Sequence, residues 1–536
     1  MRKQKWLSWL LIGSLFVSAF LFHVSIASAS KEQQSTSSIK ELYRDYEQIS
    51  AWALEAIQQA TDNGFVQGSA GKFNPKKPIT RAEFTKILAA MLDFDVTPEQ
   101  TGFFTDVTDQ DWFAPYVNTA FNKGLITGYA NKFQPNATIT REEMAVIIAR
   151  ALELEFSKSA SVIKDSNKVS EWAKQAVEAV TALGIMTGDA AGFHANQAVT
   201  REMAAVVAVR AYVYKEDSTA FQKSLEIAKI TEQLKKTSSF IQAEVTNPVI
   251  ASVGGDWTIF GLARSGIPID AQYYSQYVKN VEQFLIENSS KLHHVKYTEY
   301  GRVILALTAI GKDITNAAGY DLREPLADFE TVIKQGINGP IFALIALDSK
   351  SYDIPVAAGV KKQTTRELLI QFILDREVNG GGWALGNNPS EADPDITAMA
   401  IQSLTPYYKN NEKVTKAIDR GLSWLSNVQH ADGGYATWET VNSQSVAQVI
   451  VALTGLGINP DQDVRFIKNG NSVFDALLAY SDVKGGFYYV KSGGSSNGGA
   501  NSGQIDLMAT DQAFYALSSY ERFLTNKNRL YDLSDV

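Results

Sequence analysis

The chain has 536 residues, no cysteine, five histidines and a formal net charge of −8, and 45% of its residues are hydrophobic. This length predicts about three or four packed domains, while the acidic balance argues against nucleic-acid binding, which needs clustered Lys and Arg. The lack of cysteine excludes disulfides, thiolate catalysis and Cys-ligated zinc, and with so few histidines we expect neither a metal site nor a cofactor.

The first 29 residues have the pattern of a secretory signal peptide. Basic residues, among them Arg2 and Lys3, precede an apolar run over 6–26, and Ala27-Ser28-Ala29 resembles a small-residue cleavage site. The alternative is an uncleaved anchor, because the apolar run approaches spanning length. We predict cleavage after Ala29, which gives a secreted protein with no membrane span.

Three copies of one unit follow, at a period of 60 residues. The residues that repeat at this spacing include Trp52, Trp112 and Trp172; Gly68, Gly128 and Gly188; and Arg81, Arg141 and Arg201. In each copy the Trp begins an amphipathic helix, glycines bound a loop where φ must be positive, and a second helix follows. We place the repeats at 30–95, 96–155 and 156–215.

The second helix of each repeat begins with Thr and Arg. Thr80-Arg81-Ala82-Glu83 and Thr140-Arg141-Glu142-Glu143 form the capping-box pattern, whereas Thr200-Arg201-Glu202-Met203 lacks the glutamate. An arginine at a helix start, beside free N–H groups, makes a small anion site. The alternative is a salt bridge to a neighbouring repeat, but three identical placements favour ligand binding.

These motifs resemble the S-layer homology family, through the stretches at 79–83, 139–143 and 199–202. The resemblance implies a pseudo-threefold helical bundle whose grooves bind an anionic, often pyruvylated, secondary polysaccharide of the bacterial cell wall. We therefore expect a surface protein held non-covalently in the cell wall or S-layer.

The same resemblance implies roles for the repeated residues. Arg81, Arg141 and Arg201 would face the ligand carboxylate, and Gly68, Gly128 and Gly188 would admit the sugar close to the backbone. Trp52, Trp112 and Trp172 would pack or stack nearby, with simple core packing as the alternative. The departure at Met203 predicts a less well capped helix and a weaker third groove.

A different architecture follows a charged helical linker at 216–245. Gly381-Gly382-Trp383, Gly433-Gly434-Tyr435 and Gly485-Gly486-Phe487 recur at a spacing of 52 residues. About six helices rich in small residues each follow another helical stretch, and small side chains let helices approach closely. Residues 246–536 are therefore predicted to form two concentric rings of helices.

This segment resembles the α/α-toroid superfamily of terpenoid cyclases, protein prenyltransferase subunits and cobalamin carriers. The best local match is the glutamine–tryptophan motif at 420–435, which braces the fold and says little about chemistry. The predicted fold is thus mostly α: a bundle of three S-layer homology repeats, followed by an α/α toroid of about six helix pairs. An unknown small molecule or glycan would be the ligand of a toroid cavity.

Asp393 and Asp395 are the weak catalytic candidates of this segment. Asp395 falls at the acid position of class II cyclases, but Ile396 replaces a neighbouring aspartate, and prenyl transfer would need the missing cysteine. A wall-anchored lyase or hydrolase using both carboxylates is the runner-up, ahead of a cyclase or a cobalamin binder. The alternative is that both carboxylates cap the helix at 396–404, so we expect a binding or structural module rather than an enzyme.

Overall fold

The computed structural model describes residues 38–96, 102–155, 163–496 and 500–536, so the predicted signal peptide lies outside the described residues. The chain divides after Lys229 into two compact units. Within the described ranges, no helix has the length and apolar character needed to cross a bilayer.

Most of the described chain is helical, which confirms the predicted fold class. The helices of the first unit are α1 (Ile39–Leu42), α2 (Leu54–Asp62), α3 (Arg81–Met91), α4 (Ala114–Asn122), α5 (Arg141–Ala151), α6 (Lys174–Ala182) and α7 (Arg201–Glu216), and α8 (Ser218–Glu244) continues into the second. Those that follow are α9 (Asp256–Arg264), α10 (Ala271–Glu287), α11 (Thr298–Ala309), α12 (Phe329–Val332), α13 (Asn338–Asp348), α14 (Arg366–Leu374), α15 (Pro394–Leu404), α16 (Glu412–Val428), α17 (Ser443–Gly455), α18 (Val473–Leu478) and α19 (Leu507–Leu524). Two short antiparallel hairpins pair β1 (Ala436–Thr437) with β2 (Thr440–Val441) and β3 (Ile467–Lys468) with β4 (Asn471–Ser472).

A closed ring of backbone hydrogen bonds joins the three repeats in the first unit. Ile79 donates to the carbonyl of Val199 at 2.8 Å, Val199 donates to Ile139 at 2.9 Å, and Ile139 donates to Ile79 at 3.2 Å. All three side chains are buried in one core. Because each repeat donates one of these hydrogen bonds to one neighbour and accepts one from the other, the unit has the predicted pseudo-threefold arrangement.

The threonines predicted to start the second helices do cap them. Thr80 and Thr140 complete capping boxes, in which the threonine accepts from the third N–H group and the glutamate accepts from the threonine N–H. Thr200 accepts from the N–H of Met203 at 3.4 Å, so α7 is capped from one side only. The first residue of α3, α5 and α7 is accordingly the repeated arginine.

The predicted linker is one helix, α8, and it is more than a connector. Phe221 is buried in the core of the first unit. Further along, Thr237 donates to the carbonyl of Gly485 at 2.7 Å, and Ile241 is buried in the second unit. The apolar residues of this helix therefore belong to two cores, one in each unit.

Six helices form a closed ring in the second unit. Each of α9, α11, α13, α15 and α17 packs against the next of these helices, and α19 packs against both α17 and α9. Small residues permit this packing: a Cβ added at Gly301 of α11 would lie 3.0 Å from the carbonyl oxygen of Phe342 in α13. The remaining helices alternate with these along the chain, as the predicted toroid of six helix pairs requires.

Candidate functional site

The repeated arginines reach from one repeat into the next. Their Nε atoms donate to the carbonyl oxygen of the loop aromatic there: Arg81 to Phe133 at 3.0 Å, Arg141 to Phe193 at 2.7 Å and Arg201 to Phe73 at 2.9 Å. Their Nη2 atoms donate to the carbonyls of Thr127, Thr187 and Gln67, at 2.9, 2.8 and 2.9 Å. Each guanidinium thus ties two repeats together through backbone carbonyls, a contact that sequence reasoning did not foresee.

The third nitrogen of each guanidinium distinguishes the three sites. Nη1 of Arg81 forms an ion pair with Oε1 of Glu143 at 3.2 Å. Within the described parts of the chain, Nη1 of Arg141 and Nη1 of Arg201 have no hydrogen-bonding or ionic partner. These two nitrogens are therefore available to an anion, and ligand contact by all three arginines stays a prediction.

Two cavities lie beside these arginines. The larger, of about 430 Å³, is lined by residues that include Arg141, Gly188 and Trp52. The smaller, of about 260 Å³, includes the equivalent Arg81, Gly128 and Trp172. The structure therefore brings together six of the nine predicted residues, in two sets of three that each combine different repeats.

The remaining predicted residues, Arg201, Gly68 and Trp112, are the equivalents at a spacing of 60 residues of those that line the two cavities. Arg201 lies beside Gly68, since its guanidinium donates to the carbonyl of Gln67. Trp112 lies beneath Lys86, whose Nζ is 5.9 Å from the indole centroid. The contact of Arg201 repeats the relation of arginine to glycine loop seen in the two cavities.

The three loop glycines have a structural reason to lack a side chain. A Cβ at Gly128 would lie 2.4 Å from the carbonyl oxygen of Lys132, and one at Gly188 would lie 2.3 Å from that of Gly192. At Gly68 the added atom would lie 2.6 Å from the ring of Tyr43. The tight loop alone requires glycine, so sugar contact at these positions remains a separate prediction.

The tryptophans do not share one environment. The side chains of Trp112 and Trp172 are 55% and 60% exposed, while Trp52 is half-buried and packs against the core. Core packing was the alternative explanation for all three, and it is wrong for the two exposed indoles. An exposed indole beside a cavity offers a flat apolar face to a sugar ring.

The carboxylates of the second unit also differ. Asp393 is the N-cap of α15, and its Oδ1 accepts from the N–H of Ile396 at 3.0 Å. Asp395 lies in the first turn of that helix and caps nothing; its Oδ1 is buried without a hydrogen-bond partner. The expectation that both carboxylates cap the helix is therefore correct for Asp393 and wrong for Asp395.

Burial raises the pKa of Asp395 to about 7, and repulsion from Asp393 adds to the rise. The nearby hydroxyl groups of Ser445 and Thr437 favour the charged form and oppose this rise without cancelling it. Burial also raises the pKa of Asp393. An acid with a pKa near neutrality keeps its proton in part of the physiological range, which is the property required of a general acid.

Sequence reasoning missed three charged residues, of which Asp511 and Arg210 are buried and Arg150 is exposed. Asp511 of α19 is buried, its pKa is raised by burial to about 7, and Thr258 donates to it at 2.7 Å. Arg150 and Arg210 line the two cavities of the first unit, one in each. Their spacing of 60 residues was a signal in the sequence. Over the described residues, no group of three or more candidate metal ligands occurs.

Two known families match this chain. The S-layer homology domain matches residues 42–85, 103–145 and 162–205, and the squalene-hopene cyclase C-terminal domain matches residues 371–461. The first three matches coincide with the repeats that form the grooves. The fourth includes α15 and the Asp393–Asp395 pair.

Similar proteins include cell-surface and carbohydrate-active proteins. The Surface-layer 125 kDa protein of Lysinibacillus sphaericus is 33% identical over 201 residues, which are 36% of this chain and 17% of that protein. Exoglucanase XynX of Acetivibrio thermocellus is 33% identical over 163 residues, 29% and 15% of the two chains. S-layer protein sap of Bacillus anthracis is 27% identical over 202 residues, which are 37% of this chain and 24% of that protein. The chain thus spans less than a quarter of the length of each of these relatives.

A solved glycosidase structure aligns over 56% of this chain and 99% of the glycosidase chain, at 11% sequence identity and a TM-score of 0.35. This TM-score is too low to bear on function. The family matches and the S-layer relatives confirm the predicted location at the bacterial cell surface. This chain is therefore a surface protein with three S-layer homology repeats, followed by a helical unit in which residues 371–461 are similar to the squalene-hopene cyclase C-terminal domain.

Proposed function

We propose that the first unit holds the protein non-covalently on an anionic secondary cell-wall polysaccharide. One observation carries the proposal: each of the two cavities combines an arginine, a glycine loop and a tryptophan drawn from different repeats. A guanidinium binds carboxylates such as a pyruvyl group through directed hydrogen bonds, and an indole packs on a sugar ring. The second unit is then a binding or structural module displayed on the wall.

Sedimentation of the full chain with purified cell walls tests this function. Binding should be lost on walls stripped of their secondary polymer, and should weaken when the acidic groups of the polymer are removed. Equal binding to intact and stripped walls would contradict the proposal.

A matched pair of variants adds a residue-level test. Trp172→Ala should weaken binding and leave the melting temperature unchanged, because this side chain lines the smaller cavity and is 60% exposed. Trp438→Ala removes a tryptophan of the second unit that is 72% exposed and serves as the matched control. Equal effects of the two substitutions on wall binding would show that the loss is not specific to the groove.

A second candidate function rests on Asp395. Its buried carboxyl, with a pKa of about 7 and an unpartnered oxygen, has the character of a general acid. This favours the wall-anchored lyase or hydrolase as runner-up for the second unit. Release of soluble fragments from cell-wall glycans by the wild-type chain, abolished by Asp395→Asn, would replace the binding module with an enzyme.

A further inference from the structure

The three grooves between the repeats differ in charge at one position of the second helix. This position holds Glu83 in the first repeat, Glu143 in the second and Met203 in the third. Since each arginine reaches into the next repeat, Glu143 pairs with Arg81, whereas Met203 lines the cavity of Arg141. By the same relation Glu83 belongs to the groove of Arg201, where it pairs with Lys77 and leaves Nη1 of Arg201 unpartnered within the described residues. Arg141 is therefore the arginine whose groove has no glutamate at this position.

A second arginine also varies among the grooves. Arg210 lines the cavity of Arg141 and Arg150 lines that of Arg81. The equivalent residue of the first repeat, 60 positions earlier, is Ala90. By this equivalence the groove of Arg201 has one arginine, while each of the other two has a pair.

The arginine pair of the larger cavity is buried without a counter-ion. Arg141 and Arg210 are 8% and 9% exposed, and among the residues that the structure describes no carboxylate lies within 4.0 Å of either guanidinium. Burial lowers the pKa of both, and for Arg141 the charges of Asp189 and Asp165 offset part of the effect. Two buried cations beside an open cavity make a site that a bound anion would stabilise.

The carboxylates near this cavity are engaged elsewhere. Both oxygens of Asp165 accept backbone N–H groups, from Phe193 at 2.6 Å and His194 at 2.9 Å. Asp189, which lines the rim, accepts from the N–H of Ala191 and contacts Nε2 of His194, both at 2.8 Å. Neither replaces the glutamate that neutralises Arg81.

We propose that the groove of Arg141 is the primary binding site for a sugar that carries a carboxylate, ahead of the grooves of Arg81 and Arg201. This inference rests on the proposed anchoring function and names the groove that performs it. Met203 determines the order, since a glutamate there would face Arg141 as Glu143 faces Arg81. A cavity of about 430 Å³ is within the usual size range for small-ligand sites.

Calorimetric titration of the full chain tests the order of the grooves. The probe is a pyruvylated N-acetylhexosamine, with its methyl ester as the uncharged control and glucuronic acid as a second source of a sugar carboxylate. Met203→Glu should weaken the tightest site at least about tenfold, whereas the neutral Met203→Gln should change it less than about twofold. The glutamate variant is expected to fold, because glutamate occupies this position in the other two repeats.

The reciprocal change provides an independent measurement. Glu143→Gln removes the charge that neutralises Arg81. This variant should therefore bind the sugar at a second site, in the groove of Arg81, with an affinity comparable to that of the groove of Arg141. Unchanged titrations for both Met203→Glu and Glu143→Gln, with wall binding intact, would overturn the groove order alone. Absence of both sugar binding and wall binding in the wild type would instead overturn the anchoring function.

Discussion

Replacing Asp395 with Asn should stabilise the second unit at alkaline pH. The carboxyl has an ordinary pKa of 3.8 when unfolded, and burial, with the charge of Asp393, raises its pKa to about 7 in the folded chain. Its contribution to stability is therefore present below pH 3.8, falls as the pH rises and is lost above about pH 7. A rise of about three pKa units corresponds to about 4 kcal/mol.

That figure is an upper limit for the variant. Asp393 titrates with Asp395, so part of the free energy belongs to the pair and remains when one member is replaced. We expect Asp395→Asn to be more stable than the wild type by about 2–4 kcal/mol at pH 8.5, and similar to it at pH 4. Asn suits the site because it has the shape of the protonated acid and carries no charge.

Urea unfolding between pH 4 and pH 8.5, followed by tryptophan fluorescence, measures this difference. Trp383 is fully buried and reports the second unit. Asp511, whose pKa is also raised to about 7, is present in both proteins, so only the difference between their pH profiles is diagnostic. If the free energies of unfolding of the two proteins changed in parallel with pH, or if the variant were less stable than the wild type at pH 8.5, the raised pKa of Asp395 would be refuted.

Three further substitutions test the local structure. Asp393→Ala should lower the free energy of unfolding by about 1 kcal/mol, and Asp393→Asn should lower it much less, because asparagine caps a helix nearly as well as aspartate. Equal losses for the two variants in urea unfolding would show that Asp393 does not act as the cap. Gly128→Ala should lower the melting temperature, with a cost of about 1–3 kcal/mol, since its Cβ would lie 2.4 Å from the carbonyl oxygen of Lys132. Thr140→Ala should cost about 1 kcal/mol through loss of the capping box, and Thr140→Ser should restore most of it.

The repeat architecture could be predicted because its signal is periodic. A spacing of 60 residues keeps each Trp, Gly and Arg at the same place in each copy, and three copies can close into a bundle. The sequence does not say which repeat receives each arginine. That depends on the backbone ring through Ile79, Ile139 and Val199, which carries every arginine into the following repeat.

The interpretation of Met203 shows the consequence. From sequence, its departure predicts a weaker groove in the third repeat, through a less well capped helix. In the structure Thr200 still caps that helix, and Met203 lines the cavity of Arg141. Methionine in place of glutamate at position 203 therefore changes the charge of the groove of Arg141, an effect that only the three-dimensional arrangement reveals.

In the second unit, the two aspartates could have been separated from sequence. Proline favours the first position of a helix, so Pro394 places Asp393 at the N-cap and Asp395 at the second helical position. What the sequence could not supply is the burial of Asp395, which depends on the packing of α15 against α17. Burial opposes the favourable field of the helix N-terminus, and the raised pKa shows that burial wins.

The two ends of the ring of helices in the second unit have different chemistry. Asp395 and Asp511 lie near the N-terminal ends of α15 and α19, and burial raises the pKa of both to about 7. At the other end, Arg264 finishes α9 and donates to the backbone carbonyl oxygens of residues 529, 530 and 532 and to the carboxylate of Asp535. The C-terminal residues thus occupy the hydrogen-bonding groups of that end. The protonatable carboxyls lie at the opposite end, so the pH dependence of the Asp395→Asn variant tests the electrostatics of that end.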